Sequence, residues 1–548
     1  MRVLVVVPRF VPTPGEYYSF PLGLAYVISA LKQAGHQVFG LNLNHQIGRT
    51  EQLVADAVRA HGAEACMTGS LSVFLSEVKC IFAGARRGNE KIVNIAGGGV
   101  VSSDPEVSLQ VMDIDYGVVG EGEVPSCELL DALQRGADPG NCKGIVYRNR
   151  KGEIVQTDAP PSVMDLTRFA WPDYEALGFP ETLHLRRPLD NYSFQALNKI
   201  PRPVDMISSR SCPYSCTFCF HPVGKVYRER PLDEFFSELH SLIAKYQINM
   251  VGIIDELFSL RRVRLLEFCE RIMPLGLSWL VQLHPHSVDE EILTAMHDSG
   301  CSYISYGVES MSPMVLVSMQ KKSKRPRIVA ALQQTYDAKI GIQGNLIFGD
   351  SAETLETANE SMSWWAHNRK FQVNLTRLQV YPGSPDYIVA VRDGMIPDRV
   401  AYANELPIYL NISDMNNDNL DGVSFQVDIH HRSLLNVAPV IKFARSRRQV
   451  EGRDTAYNFA WRCPRCELVN RYKQCVLGEY EGRKSIRVLC RSCRSRWDIQ
   501  NFATYGKATE SLPILNWVNK RPLSLPGSKV TFTRTNGRLS SVAAWSRR

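Results

Sequence analysis

The stretch Arg210-Ser211-Cys212-Pro213-Tyr214-Ser215-Cys216-Thr217-Phe218-Cys219-Phe220 constrains this chain more than any other. It carries three cysteines as C-x3-C-x2-C, just after the short apolar run 204–207. With no fourth cysteine nearby, three thiolates in one loop suit a four-iron cluster in which one iron has no protein ligand. Such an iron is free to bind a small molecule, whereas a closed four-cysteine site only stores electrons or holds structure. The competing reading is a zinc ion that takes His221 as its fourth ligand, although Cys219 and His221 stand closer than the usual zinc spacings.

The chain has 548 residues, room for about three to four domains at ~150 residues each. No apolar run approaches the ~20 residues that cross a bilayer. The start, Met1-Arg2-Val3-Leu4-Val5-Val6-Val7-Pro8, is too short for a secretory leader, has no cleavage site, and reads as a buried strand. A cytoplasmic protein is expected, and in that compartment fourteen cysteines favour metal sites over disulfides. The net charge of +7 permits an anionic partner without requiring one.

Residues 1–145 alternate apolar runs (3–7, 38–41, 65–68, 92–96 and 116–119) with helical patterns. In the first of these, Leu22, Leu24, Val27, Ile28 and Leu31 fall at helical spacing, and Gly35 is the stop. Such alternation predicts an α/β, Rossmann-like, doubly wound sheet whose ligands sit at the C-terminal strand ends. Two glycine loops are expected there, Ala96-Gly97-Gly98-Gly99-Val100 and Gly120-Glu121-Gly122-Glu123-Val124-Pro125. Glycines let a flat or bulky ligand approach the backbone. No G-x-G-x-x-G follows the first strand and no P-loop is present, so a dinucleotide is not indicated.

Pro21-Leu22-Gly23-Leu24, Thr68-Gly69-Ser70-Leu71-Ser72 and the two glycine loops resemble the cobalamin-binding domain that precedes many radical S-adenosylmethionine (SAM) enzymes. The cysteine loop resembles that superfamily's signature. The resemblance, spanning roughly residues 1–430, implies cobalamin held by Ser70, Gly97, Gly98, Gly120, Glu121, Gly122 and Glu123. The chain departs from the family in its serine loop, which is not a clean S-x-L. It also lacks the D-x-H-x-x-G that brings an axial histidine in other cobalamin proteins. His45 follows the wrong strand and reads as a surface loop histidine, so the lower face of cobalamin is expected to have no histidine ligand. A Rossmann-like domain with another ligand, or none, is the alternative.

Residues 146–203 read as a connector, with a hairpin over 146–155 that turns at Lys151-Gly152. Leu166, Phe169, Trp171, Tyr174 and Leu177 need burial, so the segment is expected to wrap between domains. Residues 204–394 resume the strand and helix alternation, with strand-like runs at 204–207, 250–254, 278–282, 303–307, 341–348 and 372–381. Six units fall short of the eight of a full barrel. The radical SAM resemblance implies a partial (β/α)6 barrel with its chemistry at the C-terminal strand ends.

The same resemblance implies that Cys212, Cys216 and Cys219 ligate a [4Fe-4S] cluster and that SAM lies among Phe218, Asp255, Glu309 and Asn345. Asp255 would meet the ammonium of SAM and Glu309 its ribose, while the stretch from Gly344 to Thr354 would lie beside the adenine. Helix capping by Asp255, or within Asp350 to Thr354, is the plainer alternative. His284 and His286 read as partly exposed structural histidines, with an acid/base or substrate role as the alternative, and Cys269 and Cys301 as core.

Residues 395–455 read as a helical extension, 456–500 as a zinc-ribbon-like module and 501–548 as a tail without functional signal. Cys463, Cys466, Cys490 and Cys493 form two C-x2-C pairs and predict a closed, tetrahedral structural zinc. A second iron–sulfur cluster or free thiols are the alternatives, and Cys475 is a bystander. Arginines crowd the module from Arg445 to Arg496, but solvated ribbons are often basic, and nucleic acid is not the expected partner.

Taken together, the resemblance implies a radical SAM C-methyltransferase. One electron from the cluster would cleave SAM to a 5′-deoxyadenosyl radical, which removes hydrogen from an unactivated carbon of a small-molecule substrate. Cobalamin would deliver the methyl group, and a reducing partner the electron. The alternatives are ring closure or rearrangement without methyl transfer, and RNA modification with the ribbon as a grip.

Overall fold

Along the first strand Val3, Val5 and Val7 pack to one side and Leu4 and Val6 to the other, all five fully buried. A strand apolar on both faces needs a layer of helices on each. The structure, a computed structural model, describes residues 1–548 except 13, 17, 186–200, 407–408, 433–436, 447–455, 477, 481–482, 501–531, 536–537 and 542–548. Strands β1 (Arg2–Val7), β2 (Gln37–Asn42), β3 (Ala65–Gly69), β4 (Val93–Gly97) and β5 (Tyr116–Val118) form a parallel sheet in the order β2-β1-β3-β4-β5. Helices Leu22–Gln33 and Glu123–Arg135 share the core of Val3 and Val5, and helices Thr50–His61 and Leu75–Gly88 that of Leu4 and Val6. In this strand order the chain reverses direction across the sheet between β1 and β3, which opens a crevice at their C-terminal ends.

The hairpin expected in the connector turns at Gly152, as read, but it belongs to the first sheet. Its strands β6 (Ile145–Arg148) and β7 (Ile154–Gln156) continue that sheet antiparallel from β5. After it, Leu166, Tyr174 and Leu177 are buried as expected, whereas Trp171 is 38% exposed. Its indole nitrogen donates to Glu234 at 3.3 Å, so the ring lies along the surface with its polar edge satisfied. Phe20 stacks on Tyr174, Phe179 meets Phe20, Tyr174 and Tyr246 edge-to-face, and these rings, with centroids 5.2–5.5 Å apart, join the cores of the first and central regions.

The central sheet is parallel throughout and follows chain order: β8 (Pro203–Met206), then past a two-residue hairpin β9 (Ser209–Arg210) and β10 (Arg228–Glu229), β11 (Met250–Ile253), β12 (Ser278–Leu283), β13 (Cys301–Glu309), β14 (Gly341–Phe348) and β15 (Asn374–Arg377). β8 and β15 are its edges. β15 is shorter than the run 372–381, because Gln372 adopts a left-handed conformation (φ 57°) that ends the preceding turn. Cys269 and Cys301 lie in the core as expected.

The region read as a helical extension holds helices Arg399–Glu405 and Asn417–Arg432, but a strand follows them. β16 (Val440–Arg445), β17 (Ala456–Arg462) and β18 (Val469–Val476) form one antiparallel sheet, and β19 (Gly478–Tyr480), β20 (Arg483–Leu489) and β21 (Arg496–Gln500) another. Among the described residues past 501, β22 (Phe532–Thr535) and β23 (Arg538–Ser541) make a hairpin in a separate unit. Among the described residues no helix is long and apolar enough to cross a membrane, and all fourteen cysteines are free.

Trp279 is 1% exposed, donates its indole N–H to the Ser299 carbonyl at 3.0 Å and meets Phe268 edge-on at 5.1 Å. Trp279→Ala is expected to cost about 3–5 kcal/mol of stability through the cavity it leaves, read as a lower midpoint in urea unfolding.

Candidate functional site

β8 ends at Met206, and the chain bends through β9 into the cysteine loop. Ser211, immediately before Cys212, is held at φ 69°, a left-handed conformation that a non-glycine residue keeps only when its surroundings impose it. Cys212, Cys216 and Cys219 are all half-buried. Burial pushes all three thiols up, Cys219 to about 12, while the charge of Lys321 opposes this at Cys212 and Cys216. A group of three or more ligand atoms drawn within 4.8 Å of one another occurs, among the described residues, only at the distal cysteines and not in this loop. His221, the rival fourth ligand, has its Nδ1 2.8 Å from Glu256.

Of the expected SAM residues, Phe218 belongs to this loop, Asp255 bonds to Ser208 just ahead of it, and Glu309 lies near Cys216 and Cys219. Asp255, just past β11, is buried and accepts from the Ser208 amide at 2.7 Å and the Ser208 hydroxyl at 2.6 Å. Burial, partly offset by these bonds, pushes its carboxyl up to about 6. It caps no helix, since the next one begins only at Arg262; its role is to hold the strap ahead of the cysteine loop. The neighbouring Glu256, which sequence reasoning passed over, leaves a third of its side chain exposed and shares the cavity wall. Glu309 ends β13 in a left-handed conformation (φ 61°) and pairs with Lys321 at 3.0 Å, both side chains 9% exposed. Lys321 was also missed, as nothing in its local sequence marks it. Asn345 accepts from Asn374 at 3.2 Å across β14 and β15, and Phe218 packs against the cluster of Val315 and Met319.

One expectation changes here. His284 is buried rather than partly exposed, stacks on Tyr214 of the cysteine loop at 4.6 Å, and has its Nε2 3.1 Å from the Ser323 hydroxyl. Burial holds it down to about 3, so it is neutral at physiological pH. His286 does turn to solvent. In the stretch beside β14 the cap is Thr354, in a reciprocal pair with Thr357 that starts helix Leu355–His367. At the turn after β15, Gly383 has φ 83°, and a Cβ there would stand 2.6 Å from the Phe220 ring and 2.9 Å from the Ser103 Cα. This glycine lets cysteine loop, sixth turn and first domain meet.

Opposite the cysteine loop, the C-terminal ends of β1, β3, β4 and β5 wall a cavity of about 820 Å³, closed on its far side by Arg210, Ser211 and Glu256. Its lining is mostly apolar, with Phe10, Leu24, Val27, Leu71 and Phe74 along the crevice. The Ser70 hydroxyl on its wall is buried without a hydrogen-bond partner. Gly98 (φ 73°) lets the serine loop close on the glycine turn, since a Cβ there would lie 3.1 Å from the Ser70 backbone. Gly120 (φ 84°) has open space where a Cβ would be. An apolar cavity floored by glycine backbone with one orphaned hydroxyl fits a large flat cofactor. The carboxylates of Glu121 and Glu123, on the same loop, turn to Arg210 and Arg228. His45 is half-buried rather than on a surface loop, engaged by Tyr18 and Thr182, and no histidine among the described residues lines the cavity.

At the distal module Cys463, Cys466, Cys490 and Cys493 lie within 4.8 Å of one another, with Cys463–Cys493 at 3.6 Å and Cys466–Cys490 at 3.5 Å between sulfurs. Cys475 is buried outside the group. Several of its arginines are committed to the central domain. Arg465 stacks on Tyr336 with its Cζ 3.5 Å from the ring centre, and Arg496 donates to the Tyr303 hydroxyl at 2.8 Å and the Gln372 carbonyl at 2.6 Å. Arg447 and Arg448 lie outside the described residues.

The B12 binding domain family matches residues 10–130, and the Radical SAM superfamily residues 206–364. An uncharacterized methyltransferase of Pyrococcus horikoshii is 25% identical over 415 residues, covering 72% of this chain and 84% of its own length. The anaerobic magnesium-protoporphyrin IX monomethyl ester cyclase of Rubrivivax gelatinosus is 25% identical over 375 residues, 66% of this chain and 65% of its own. Among solved structures, the radical SAM methyltransferase TsrM of Kitasatospora setae, with cobalamin and [4Fe-4S] cluster bound, superposes with a TM-score of 0.58 at 20% identity over 72% of this chain and 75% of that one. The same enzyme with tryptophan substrate and a SAM analogue bound gives 0.57 at 20% identity, over 72% and 76%.

Glu353 is fully buried beside Gly349, and burial pushes its carboxyl up to about 8. Unfolding releases it to an ordinary carboxylate range, so the folded state holds the extra proton between about pH 5 and 8. Its contribution is therefore fully present in acid and is lost as pH rises to 8, at up to about 1.4 kcal/mol per pH unit. Glu353→Gln should flatten this part of the stability profile, measured as urea midpoints at several pH values.

Proposed function

Because the chain is a radical SAM enzyme with a B12-binding domain ahead of its SAM domain, we propose that it methylates an unactivated carbon of a small-molecule substrate. The observation that carries this reading is the single cavity between the glycine loops of the first domain and the cysteine loop of the second. Two cofactors that exchange a group with one substrate must face each other, and here the space on the glycine loops reaches Ser211, Pro222 and Val223 on either side of the cysteine triplet, and Asp255 and Glu256. When bound, the cluster and SAM supply a carbon-centred radical, and cobalamin a methyl group; the protein supplies position and dryness.

In this reading Cys212, Cys216 and Cys219 hold the [4Fe-4S] cluster, within an incomplete barrel open between β8 and β15. Glu309 with Lys321, Asn345 and Phe218 frame SAM. Asp255 acts by holding Ser208 and with it the loop, and Glu256 offers the freer carboxylate to the SAM ammonium. Ser70, Gly97, Gly98 and the loop from Gly120 to Glu123 would hold cobalamin in a cavity lined largely by apolar side chains. Cys463, Cys466, Cys490 and Cys493 hold a structural zinc in a ribbon, in accord with sulfur separations of 3.5–3.6 Å. Arginines turned onto the barrel support a bracing ribbon over an RNA grip. Free thiols and the need for a low-potential electron donor suit a reducing cytoplasm.

Ring closure without methyl transfer is the second reading, favoured by the similarity to the cyclase of Rubrivivax gelatinosus. Product counting separates the two, because methylation yields S-adenosylhomocysteine together with 5′-deoxyadenosine and ring closure only the latter.

Anaerobic reconstitution is expected to give about four iron atoms per chain and one zinc. Cys216→Ala should keep the zinc but lose the iron and all SAM cleavage. A single zinc bound by the cysteine loop in place of iron refutes the reading. Cys490→Ser should instead release zinc with the cluster iron retained, read by metal analysis of the same sample.

A further inference from the structure

Four charged side chains lie buried where the first domain meets the base of the cysteine loop. Arg210 and Arg228 are paired residues of the hairpin β9–β10. Arg228, 1% exposed, forks onto Glu121, with Nη1 to Oε2 at 2.8 Å and Nη2 to Oε1 at 3.0 Å. Arg210 reaches Glu121 at 2.8 Å and Glu123 at 2.6 Å. Its guanidinium is flanked by the rings of Tyr26 at 4.9 Å and Phe169 at 4.6 Å. Two guanidiniums meet two carboxylates, so the group is balanced, and a buried fork fixes orientation as well as distance.

The place of this network matters more than its strength. Glu121 and Glu123 belong to the glycine loop on the wall of the cavity, and Arg210 stands two residues before Cys212. Neither carboxylate is free to act as a ligand, since the arginines take both. The link is rigid along its length: on one side Gly120 is fixed by the Ser102 hydroxyl at 2.9 Å, on the other Ser211 is held in its left-handed conformation.

We propose that Arg210, Arg228, Glu121 and Glu123 form a latch that keeps the glycine loop and the cysteine loop in one register. Arg210 and Arg228 are then positioning residues for the transfer between two cofactor sites, and order in one loop is passed to the other. This rests on the proposed function for the identity of the cofactors, while the latch itself is a property of the chain.

The latch is tested on the full chain in two measurements. The double variant Arg228→Met/Glu121→Gln removes the fork but leaves Arg210 and Glu123 as a balanced pair, and Arg228→Lys keeps the charge without the fork. In hydrogen exchange without cofactors, segments 116–124 and 207–223 of the double variant should lose protection together, with 262–272 unchanged. Hydroxocobalamin is then titrated against protein with and without the reconstituted cluster. In the wild type the cluster should tighten hydroxocobalamin on the order of tenfold; in the double variant that ratio falls to about one, and Arg228→Lys lies between. Loosening of only one segment, or a ratio unchanged from wild type, overturns the latch. A wild type that binds no hydroxocobalamin refutes the proposed function instead, and hydrogen exchange alone then decides the latch.

Discussion

A parallel sheet has one working end, where its loops gather and the N-termini of its helices point. This chain sets two such ends face to face, and the rest of the structure follows from keeping them there. The crevice between β1 and β3 opens toward the loop that leaves β8, and one apolar cavity lies between them. Such a space is stable only if both walls are held from outside it. The packed rings from Phe20 to Tyr246 do so with apolar surface. The Phe20 amide adds a buried hydrogen bond to Asp205 on β8, at 3.1 Å.

Two backbone positions at the same face adopt a conformation that side chains rarely take. Ser211 and Glu309 are both non-glycine residues in left-handed backbone, one at the start of the cysteine loop and the other at the end of β13. Each is fixed by neighbours: Ser211 lies between the arginine hairpin and Cys212, and Glu309 is paired with Lys321. Elsewhere the left-handed positions include glycines such as Gly35, Gly62 and Gly136 and the non-glycine residues Gln247 and Gln372, which end helices. The distal module reinforces the opposite end. Arg496 and Arg465 grip Tyr303, Gln372 and Tyr336 there, near where β13 begins and β15 is about to start.

Periodicity made most of the scaffold legible. The inner strands of both parallel sheets were visible as apolar runs, because strands buried on both faces are largely apolar, while the edge strands β2 and β15 bury only Asn42 and Leu375 and were less sharply marked. Boundaries were less legible. The hairpin 146–155 was readable as a hairpin, but nothing local told which sheet it would join. Trp171 looked like core because burial was inferred from residue type, and it lies at the surface with its N–H on Glu234.

The site divides in the same way. Cysteine spacing marked both sulfur groups, since the cysteines of each pair or triplet are neighbours in sequence, and glycines marked the loops that line the cavity. Those are properties of short stretches, and the sequence alone determined them. The partners of Glu121, Glu309, Asp255 and His284 lie 89, 12, 47 and 39 residues away. Whether such a carboxylate or imidazole faces a ligand, an arginine or a serine depends on which long-range contact wins once water is excluded. That contest is between groups brought together only by folding, and the tertiary structure alone decides it.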